Sequence, residues 1–313
     1  MIIYKSTDVK KIVEEYENNK ILKYDLIRII SKRPESQEEL NKRRLFSQVV
    51  YLISSIWRFN ILKSIYVKNK AEQEVFPIIG NLQLSEGLRE YLTTKYNSFN
   101  KLNKIKVVDV GAAGGALTSL YTLKVLDEFN LLKKVELNLV DIAEEALIAC
   151  KRLKFEIPYN VLNNFGFKKY TSLHFNRILK KIEESNLYCC DITSIPNTLE
   201  NSDIIVSGFT HHHLNLPAKE KACKNMLKIA KTGAFIGITD ECLDIKQYLY
   251  WYDKHSYEVN EIGEKVPIAM ESFIQLYDHI DMFGGNLSIL SFKDKDNLNQ
   301  PEHYTFWGVK KGE

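Results

Sequence analysis

From residue 105 onward, the chain alternates short apolar runs with longer stretches in which apolar residues recur every three or four positions. The short runs are typical of buried strands and occupy 105–110, 135–140, 187–190, 203–207 and 234–239. The longer stretches predict helices, most clearly over 116–129 and 217–230. Because strands that alternate with helices form parallel sheets, the pattern predicts a doubly wound α/β sheet.

The C-terminal region predicts two further strands and one helix. The helix is expected over 267–283, and the strands over 286–293 and 304–310 form an antiparallel pair across a polar loop. The sheet therefore has seven strands and is mostly parallel, with its last strand antiparallel. Residues 231–233 are expected to form a turn. An aromatic-rich surplus segment, 154–172, is either a lid or a packed surface excursion.

Residues 1–100 predict a separate, all-helical unit. Apolar residues recur there at helical spacing, and glycine is absent before Gly80. A long helix that starts near residue 36 is expected to break at 76–80, and another helix runs over 85–96. We therefore expect two domains, 1–100 and 101–313. The first covers the substrate side of the sheet or forms a homodimer.

A glycine-rich turn joins the first predicted strand to its helix, and residues 107–115 read Val-Val-Asp-Val-Gly-Ala-Ala-Gly-Gly. Such a turn presents backbone N–H groups at a helix N-terminus, and glycine lets a ligand approach the backbone closely. An acid, Asp109, is followed at every second position by a small residue: Gly111, Ala113 and Gly115. This spacing differs from the dinucleotide-binding pattern G-x-G-x-x-G. The turn predicts a nucleotide-like ligand.

This spacing resembles motif I (D/E-x-G-x-G-x-G) of the class I, Rossmann-like S-adenosylmethionine (SAM)-dependent methyltransferases, with Ala113 in the middle glycine position. The passage 231–240, which begins Lys-Thr-Gly and ends in Asp240, is similar to one frequent in their small-molecule members. The resemblance implies SAM as cofactor, S-adenosylhomocysteine (SAH) as product, and a small-molecule acceptor such as a metabolite or natural-product intermediate.

The resemblance also implies roles for residues at the strand ends. Asp141 matches the acid that accepts hydrogen bonds from the ribose hydroxyls, and Ile142 lies against the adenine. Asp191 matches the position that meets the adenine amino group, beside an apolar neighbour. The cofactor-binding residues implied are Asp109, Gly111, Ala112, Ala113, Gly115, Asp141, Ile142, Asp191, Ile192 and Ser207.

Candidate catalytic groups follow the fourth strand. His211, His212 and His213 lie at the carboxyl end of the sheet, where ligands bind, and an imidazole is a suitable base for a hydroxyl, amine or activated carbon. Three in a row cannot face one point, so at most two act; the alternative is that they cap a helix and pack. Tyr248 is a further candidate, on an aromatic stripe that is more typical of a core.

Composition and motifs exclude several classes. The net charge is only +3, and the sequence after the fourth strand, Ser-Gly-Phe-Thr over 207–210, lacks the N/D-P-P-Y of enzymes that N-methylate nucleic acids and proteins, so a nucleic-acid partner is disfavoured. No apolar run is long enough to span a membrane. The cysteines show no disulfide or metal spacing, so we expect a reducing, cytoplasmic compartment. We also expect no metal site. Such a site at the histidine loop would need further ligands, for which His255, His279 and His303 are the candidates whose positions the sequence does not give.

Other functions stay open beside methyl transfer. Some proteins with this fold attack SAM intramolecularly, as do azetidine-2-carboxylate-forming cyclases, and these also carry helical N-terminal additions. A non-catalytic SAM-binding protein and an unusual RNA methyltransferase are the remaining alternatives. Product analysis after incubation with SAM alone distinguishes the cyclase or lyase from a methyltransferase.

Overall fold

A computed structural model describes residues 76–112, 116–142, 172–214, 216–242, 257–259, 265–267, 274–294 and 302–312, with residues 144, 147, 148 and 150 between them. The helices are α1 (Phe76–Lys101), α2 (Leu117–Glu128), α3 (Ser172–Glu183), α4 (Leu216–Ile229) and α5 (Leu276–Asp281). The strands are β1 (Ile105–Val110), β2 (Val135–Asp141), β3 (Asn186–Cys189), β4 (Ser202–Gly208), β5 (Ala230–Cys242), β6 (Tyr257–Val259), β7 (Lys265–Pro267), β8 (Leu287–Asp294) and β9 (Glu302–Lys310).

Seven of these strands form one sheet in the order β3-β2-β1-β4-β5-β9-β8. Strands β1 to β5 pair in parallel, whereas β9 runs antiparallel to both β5 and β8. This confirms the predicted α/β fold, a doubly wound and mostly parallel sheet whose last strand is antiparallel. Strands β6 and β7 form a separate two-stranded sheet.

The sheet is buried on both faces, which explains why its strands are almost continuously apolar. Val107 points into a core shared with α1, α2 and α3, whereas its neighbour Val108 points into a core shared with α4 and α5. Alternate residues of one strand therefore serve opposite layers. The parity of a residue at a strand end thus decides which layer its side chain joins.

The expected break at 76–80 is wrong, because α1 runs without interruption from Phe76 to Lys101. Pro77 falls in the first turn, where a helix tolerates proline. Gly80 is needed for space rather than for a turn: a Cβ there would lie 2.3 Å from Thr239 Oγ1 and 2.8 Å from the Phe209 ring. The glycine lets α1 approach the carboxyl ends of β4 and β5.

Helix α1 packs against the sheet at several points along its length. A Cβ at Gly87 would lie 2.3 Å from the Trp307 ring, so the helix backbone rests on that indole. Further on, the Tyr91 hydroxyl donates to the carbonyl of Gly233 at 2.6 Å. Residues 76–101 therefore pack on the sheet. The division into domains 1–100 and 101–313 stays a prediction, since residues 1–75 lie outside the described part.

Two further elements differ from their predictions. Of the predicted helix over 267–283, Pro267 belongs to β7 and Leu276–Asp281 form α5, whereas residues 268–273 lie outside the described part. The predicted turn at 231–233 is absorbed into β5, which starts at Ala230; Gly233 there has φ +79° and the pairing with β4 shifts register nearby. The surplus segment 154–172 lies, except for Ser172 at the start of α3, outside the described residues. Among the helices that are described, none combines the length and apolar character needed to cross a bilayer.

Candidate functional site

The candidate site lies where the strand order reverses, between β1 and β4. In doubly wound sheets, ligands bind outside the carboxyl ends of the strands at this point. The glycine turn follows β1, and a short 3₁₀ turn, His211–His213, follows β4. The Thr210 hydroxyl joins the two, donating to the carbonyl oxygens of Gly111 (3.2 Å) and Gly208 (3.1 Å). The candidate cofactor turn and the histidine turn are thus direct neighbours.

The glycine turn needs its first glycine. Gly111 has φ +79°, a conformation that other residues rarely adopt, and a Cβ there would lie 2.1 Å from Thr210 Oγ1. The backbone N–H groups of Gly111 and Ala112 both donate to the carbonyl of Val140, at 2.8 and 3.1 Å. This bends the chain over the end of β2. Ala113 and Gly115 lie outside the described residues, so their predicted contacts stay predictions.

Asp109 lies buried beneath this turn. Its Oδ2 accepts a hydrogen bond of 2.5 Å from the Ser119 hydroxyl on α2, and its Oδ1 has no partner among the described residues. Burial raises the pKa of the Asp109 carboxyl to about 7, against the opposing effect of the Ser119 hydrogen bond. Because a cation would favour the ionised form, this carboxyl is suited to respond to a positively charged ligand at the turn.

Three carboxylates share the edge of the sheet that runs from β1 to β3. Asp109 lies near the end of β1, Asp141 ends β2, and Asp191 follows β3. The charge of Asp141 contributes to the raised pKa of Asp109, so the two groups sense each other. Asp191 caps the next 3₁₀ turn by accepting from the Thr193 N–H at 2.8 Å. Carboxylates at the ends of neighbouring strands can accept hydrogen bonds from the hydroxyl or amino groups of a ligand.

The other predicted cofactor residues lie around the same edge. Ile142, half-buried, follows Asp141, while Ile192 is buried in the core shared with α4. The fully buried Ser207 donates to the carbonyl of Val110 at 2.8 Å, so it ties β4 to β1. Direct cofactor contacts by these three residues stay predictions.

His212 forms a buried pair with Asp240 at the end of β5. Its Nδ1 lies 2.6 Å from Asp240 Oδ1, and the two side chains are only 5% and 1% exposed. Burial alone would raise the pKa of Asp240, but the charge and hydrogen bond of His212 outweigh it, and the pKa lies below its usual value. An ionised carboxylate bonded to Nδ1–H fixes the imidazole tautomer and leaves Nε2 as the basic nitrogen.

His211 has a different environment, deep in the layer of α4 and α5. Its Nδ1 lies 2.9 Å from Nε2 of His279, whose Nδ1 lies 2.7 Å from the Tyr304 hydroxyl. Burial lowers the pKa of His211 to about 4 and holds that of His279 well below its usual value. Both imidazoles are therefore neutral near pH 7, and His211 belongs to a buried network with His279 and Tyr304.

The two remaining catalytic candidates are His213 and Tyr248. His213 is half-buried, with its ring centroid 3.9 Å from that of His212. Tyr248 lies outside the described residues. The three consecutive histidines thus occupy three environments, as expected of a 3₁₀ turn, whose side chains point about 120° apart.

Sequence reasoning missed several partners of these histidines. In the sequence Asp240 marked only the end of the passage 231–240, although its parity with Ile236 and Ile238 on β5 could have placed it on the histidine side of the sheet. His279 was named from the sequence only as an unplaced histidine, and Tyr304, distant in sequence, gave no local signal. Lys219, fully buried on α4, donates to the carbonyl of Leu214 below the histidine turn.

Comparisons with solved structures find similar chains at low identity. A SAM-dependent methyltransferase from Methanosarcina mazei is 13% identical, with a TM-score of 0.48 over 68% of this chain and 95% of that chain. The N-methyltransferase NodS from Bradyrhizobium japonicum, in complex with SAH, is 13% identical, with a TM-score of 0.40 over 71% and 88%. The [4+2]-cyclase SpnF is 10% identical, with a TM-score of 0.42 over 74% and 81%.

No protein-family model matches the chain, and neither does any curated protein. Because the TM-scores of the solved structures are low, they carry no conclusion about substrate or reaction. The strand order and the antiparallel last strand of the chain itself give it the class I methyltransferase fold.

Proposed function

We propose that this protein binds SAM at the glycine turn and transfers its methyl group to a small-molecule acceptor. The observation that carries the proposal is the contact between the two turns: Thr210 joins the Gly111 turn directly to the histidine turn, across the point where the strand order reverses. A cofactor on the first turn would therefore have its reactive end beside the second.

The carboxylates support SAM over a phosphate-bearing cofactor. A dinucleotide places its pyrophosphate at the glycine turn, where negative charge close by is unfavourable. Here Asp109 lies directly beneath that turn, with Asp141 close enough to shift its pKa. SAM has no phosphate and carries a sulfonium and an ammonium group, so an ionised Asp109 acts in its favour. Asp141 would accept from the ribose hydroxyls.

The pair of His212 and Asp240 supports proton removal from the acceptor. Methyl transfer from a sulfonium is an in-line displacement, which requires alignment and a nucleophile freed of its proton. As the methyl group leaves sulfur for the acceptor atom, His212 Nε2 would take the acceptor's proton. Asp240 would stabilise the imidazolium that forms. Hydroxyl, amine and activated-carbon acceptors all meet these requirements.

Product analysis by mass spectrometry tests this function. The protein is incubated with SAM alone, and then with SAM and separate panels of phenols, primary amines and 1,3-dicarbonyl compounds. We expect no turnover without an acceptor, and SAH together with an acceptor heavier by one methylene unit when a suitable compound is present.

A different product would overturn the proposal. Methylthioadenosine formed from SAM alone would indicate an intramolecular cyclase or a lyase. A protein that binds SAM but yields no product with any acceptor class would favour a non-catalytic binding role. The variant His212→Gln serves as the matched control, because it should bind SAM and form product at least about 100-fold more slowly.

A further inference from the structure

A cluster of three potential metal ligands lies in the layer of α4 and α5, apart from the glycine turn. His211 comes from the turn after β4, Cys223 from the middle of α4, and His279 from α5. All three side chains are fully buried. One ligand atom from each lies within 4.8 Å of the other two. Three separate elements thus bring together a thiol and two imidazoles.

The donor set determines which ions fit. Magnesium and calcium prefer oxygen ligands, whereas a thiolate with two imidazoles suits zinc or copper. Around a tetrahedral zinc ion, nitrogen and sulfur ligands lie about 3.5 Å apart. The observed upper limit of 4.8 Å therefore needs only a small contraction of the cluster.

His279 is oriented as metal-binding histidines usually are. One nitrogen of such a ring is ordinarily fixed by a second residue, so that the other faces the ion. Here the hydroxyl of the buried Tyr304 lies 2.7 Å from Nδ1, and Nε2 faces His211. Tyr304 would thus act as the orienting partner of the ligand.

The metal-free cluster leaves a polar atom unsatisfied. Nε2 of His211 is buried and has no hydrogen-bond partner among the residues that the structure describes. A buried donor or acceptor without a partner costs about 1–3 kcal/mol. Because the ion binds only one nitrogen of His211 and breaks the hydrogen bond at Nδ1, one nitrogen of this ring stays unpaired with or without metal, and the proposal rests on the three converging ligands.

From this geometry we propose that His211, Cys223 and His279 bind one soft transition-metal ion, Cu⁺ or Zn²⁺. The Cys223 thiol loses its proton to solvent as the metal–sulfur bond forms. The hydrogen bond between the two histidines is replaced by a metal–nitrogen bond to each ring.

Nearby charges leave both ions possible. The charges of Lys219 and Asp240 both reach His211 and Cys223, and the charge of Glu220 also reaches Cys223. Cu⁺ with a thiolate adds no charge to the buried layer. Zn²⁺ with a thiolate adds one positive charge, which the surplus negative charge of Glu220 offsets, so the titration decides between the two ions.

Metal titration of the full-length protein tests the site. Cu⁺ is added anaerobically in competition with a chromophoric Cu⁺ chelator, and Co²⁺ is added separately as a spectroscopic substitute for Zn²⁺. We expect one equivalent to bind. Retention of Cu⁺ identifies copper, and a sulfur-to-cobalt charge-transfer band identifies a zinc-type site. Cys223→Ser should weaken binding at least about 100-fold, and Tyr304→Phe by about 10–100-fold with stoichiometry unchanged.

Two controls keep the result specific. The double variant Cys189→Ser, Cys190→Ser removes the more exposed cysteines on and after β3 and should still bind one equivalent. His279→Gln should lose the ion while retaining its thermal unfolding midpoint without metal within a few degrees, which separates ligand loss from misfolding. Absence of stoichiometric binding of either ion, or binding that survives Cys223→Ser, would overturn the proposal whether or not the protein methylates.

Discussion

Replacing His212 with glutamine should lower the rate of methyl transfer by about 10²–10⁴-fold, the usual contribution of a general base. Glutamine is similar in size and can still donate to Asp240, but it cannot accept a proton near pH 7. SAM affinity should change little, because the base acts on the acceptor rather than on the nucleotide. SAH formation, measured with an acceptor that the product screen identifies, gives the rate.

Two companion variants locate the effect. Asp240→Asn should also lower turnover, because an amide neither holds the charge that stabilises the imidazolium nor fixes the tautomer of His212. His213→Gln, one residue along the same turn, should stay within a few-fold of wild type. If His212→Gln folds normally and retains turnover within a few-fold, the pair of His212 and Asp240 is structural, and another group removes the proton.

The substitution Gly111→Ala should lower the free energy of unfolding by about 2–5 kcal/mol, which is a large part of a typical total. Two costs add. A residue other than glycine at φ +79° costs about 1–2 kcal/mol, and forcing a methyl group to 2.1 Å from Thr210 Oγ1 costs about 1–3 kcal/mol. Denaturant unfolding measures the change. The displaced turn should also lose SAH affinity.

Gly233 provides a matched control for this prediction. It has the same φ of +79°, but a Cβ there would meet nothing within 4 Å. Gly233→Ala should therefore cost only the backbone part, about 1–2 kcal/mol. Equal losses in the two variants would show that the contact between Thr210 and the glycine turn contributes nothing.

The elements around the candidate site could be predicted because local patterns specify them. Strand β1 is an apolar run, and the turn after it begins with a glycine that adopts a positive φ. The apolar run and the glycine stand next to each other in the sequence, so both could be recognised there. Strand β9, which lies between β5 and β8, was similarly indicated by its apolar residues. The start of helix α1 was predicted wrongly because a glycine such as Gly80 can mean two things. Glycine weakens a helix, but it also lets a helix approach a sheet closely. Only the positions of Thr239 and Phe209 in the folded chain show that the second applies here.

The histidine environments could not be predicted for a related reason. His211 and His212 are adjacent, yet one joins His279 and the other joins Asp240, because a 3₁₀ turn directs consecutive side chains apart. Their partners come from α5 and β5, and contacts between residues so far apart in sequence depend on packing of the whole chain. A sequence could identify the histidine loop, but it could not assign a role to each ring.

Calorimetric titration with SAM, SAH and NAD⁺ tests the central claim most directly. We predict that SAM and SAH bind with a stoichiometry of one and that NAD⁺ does not bind. Asp141→Ala should weaken SAH binding by about 1–3 kcal/mol, or about 5- to 150-fold, because the ribose hydroxyls lose their acceptor. Saturable binding of NAD⁺ without binding of SAM or SAH would contradict the assignment of the glycine turn and, with it, the proposed methyl transfer.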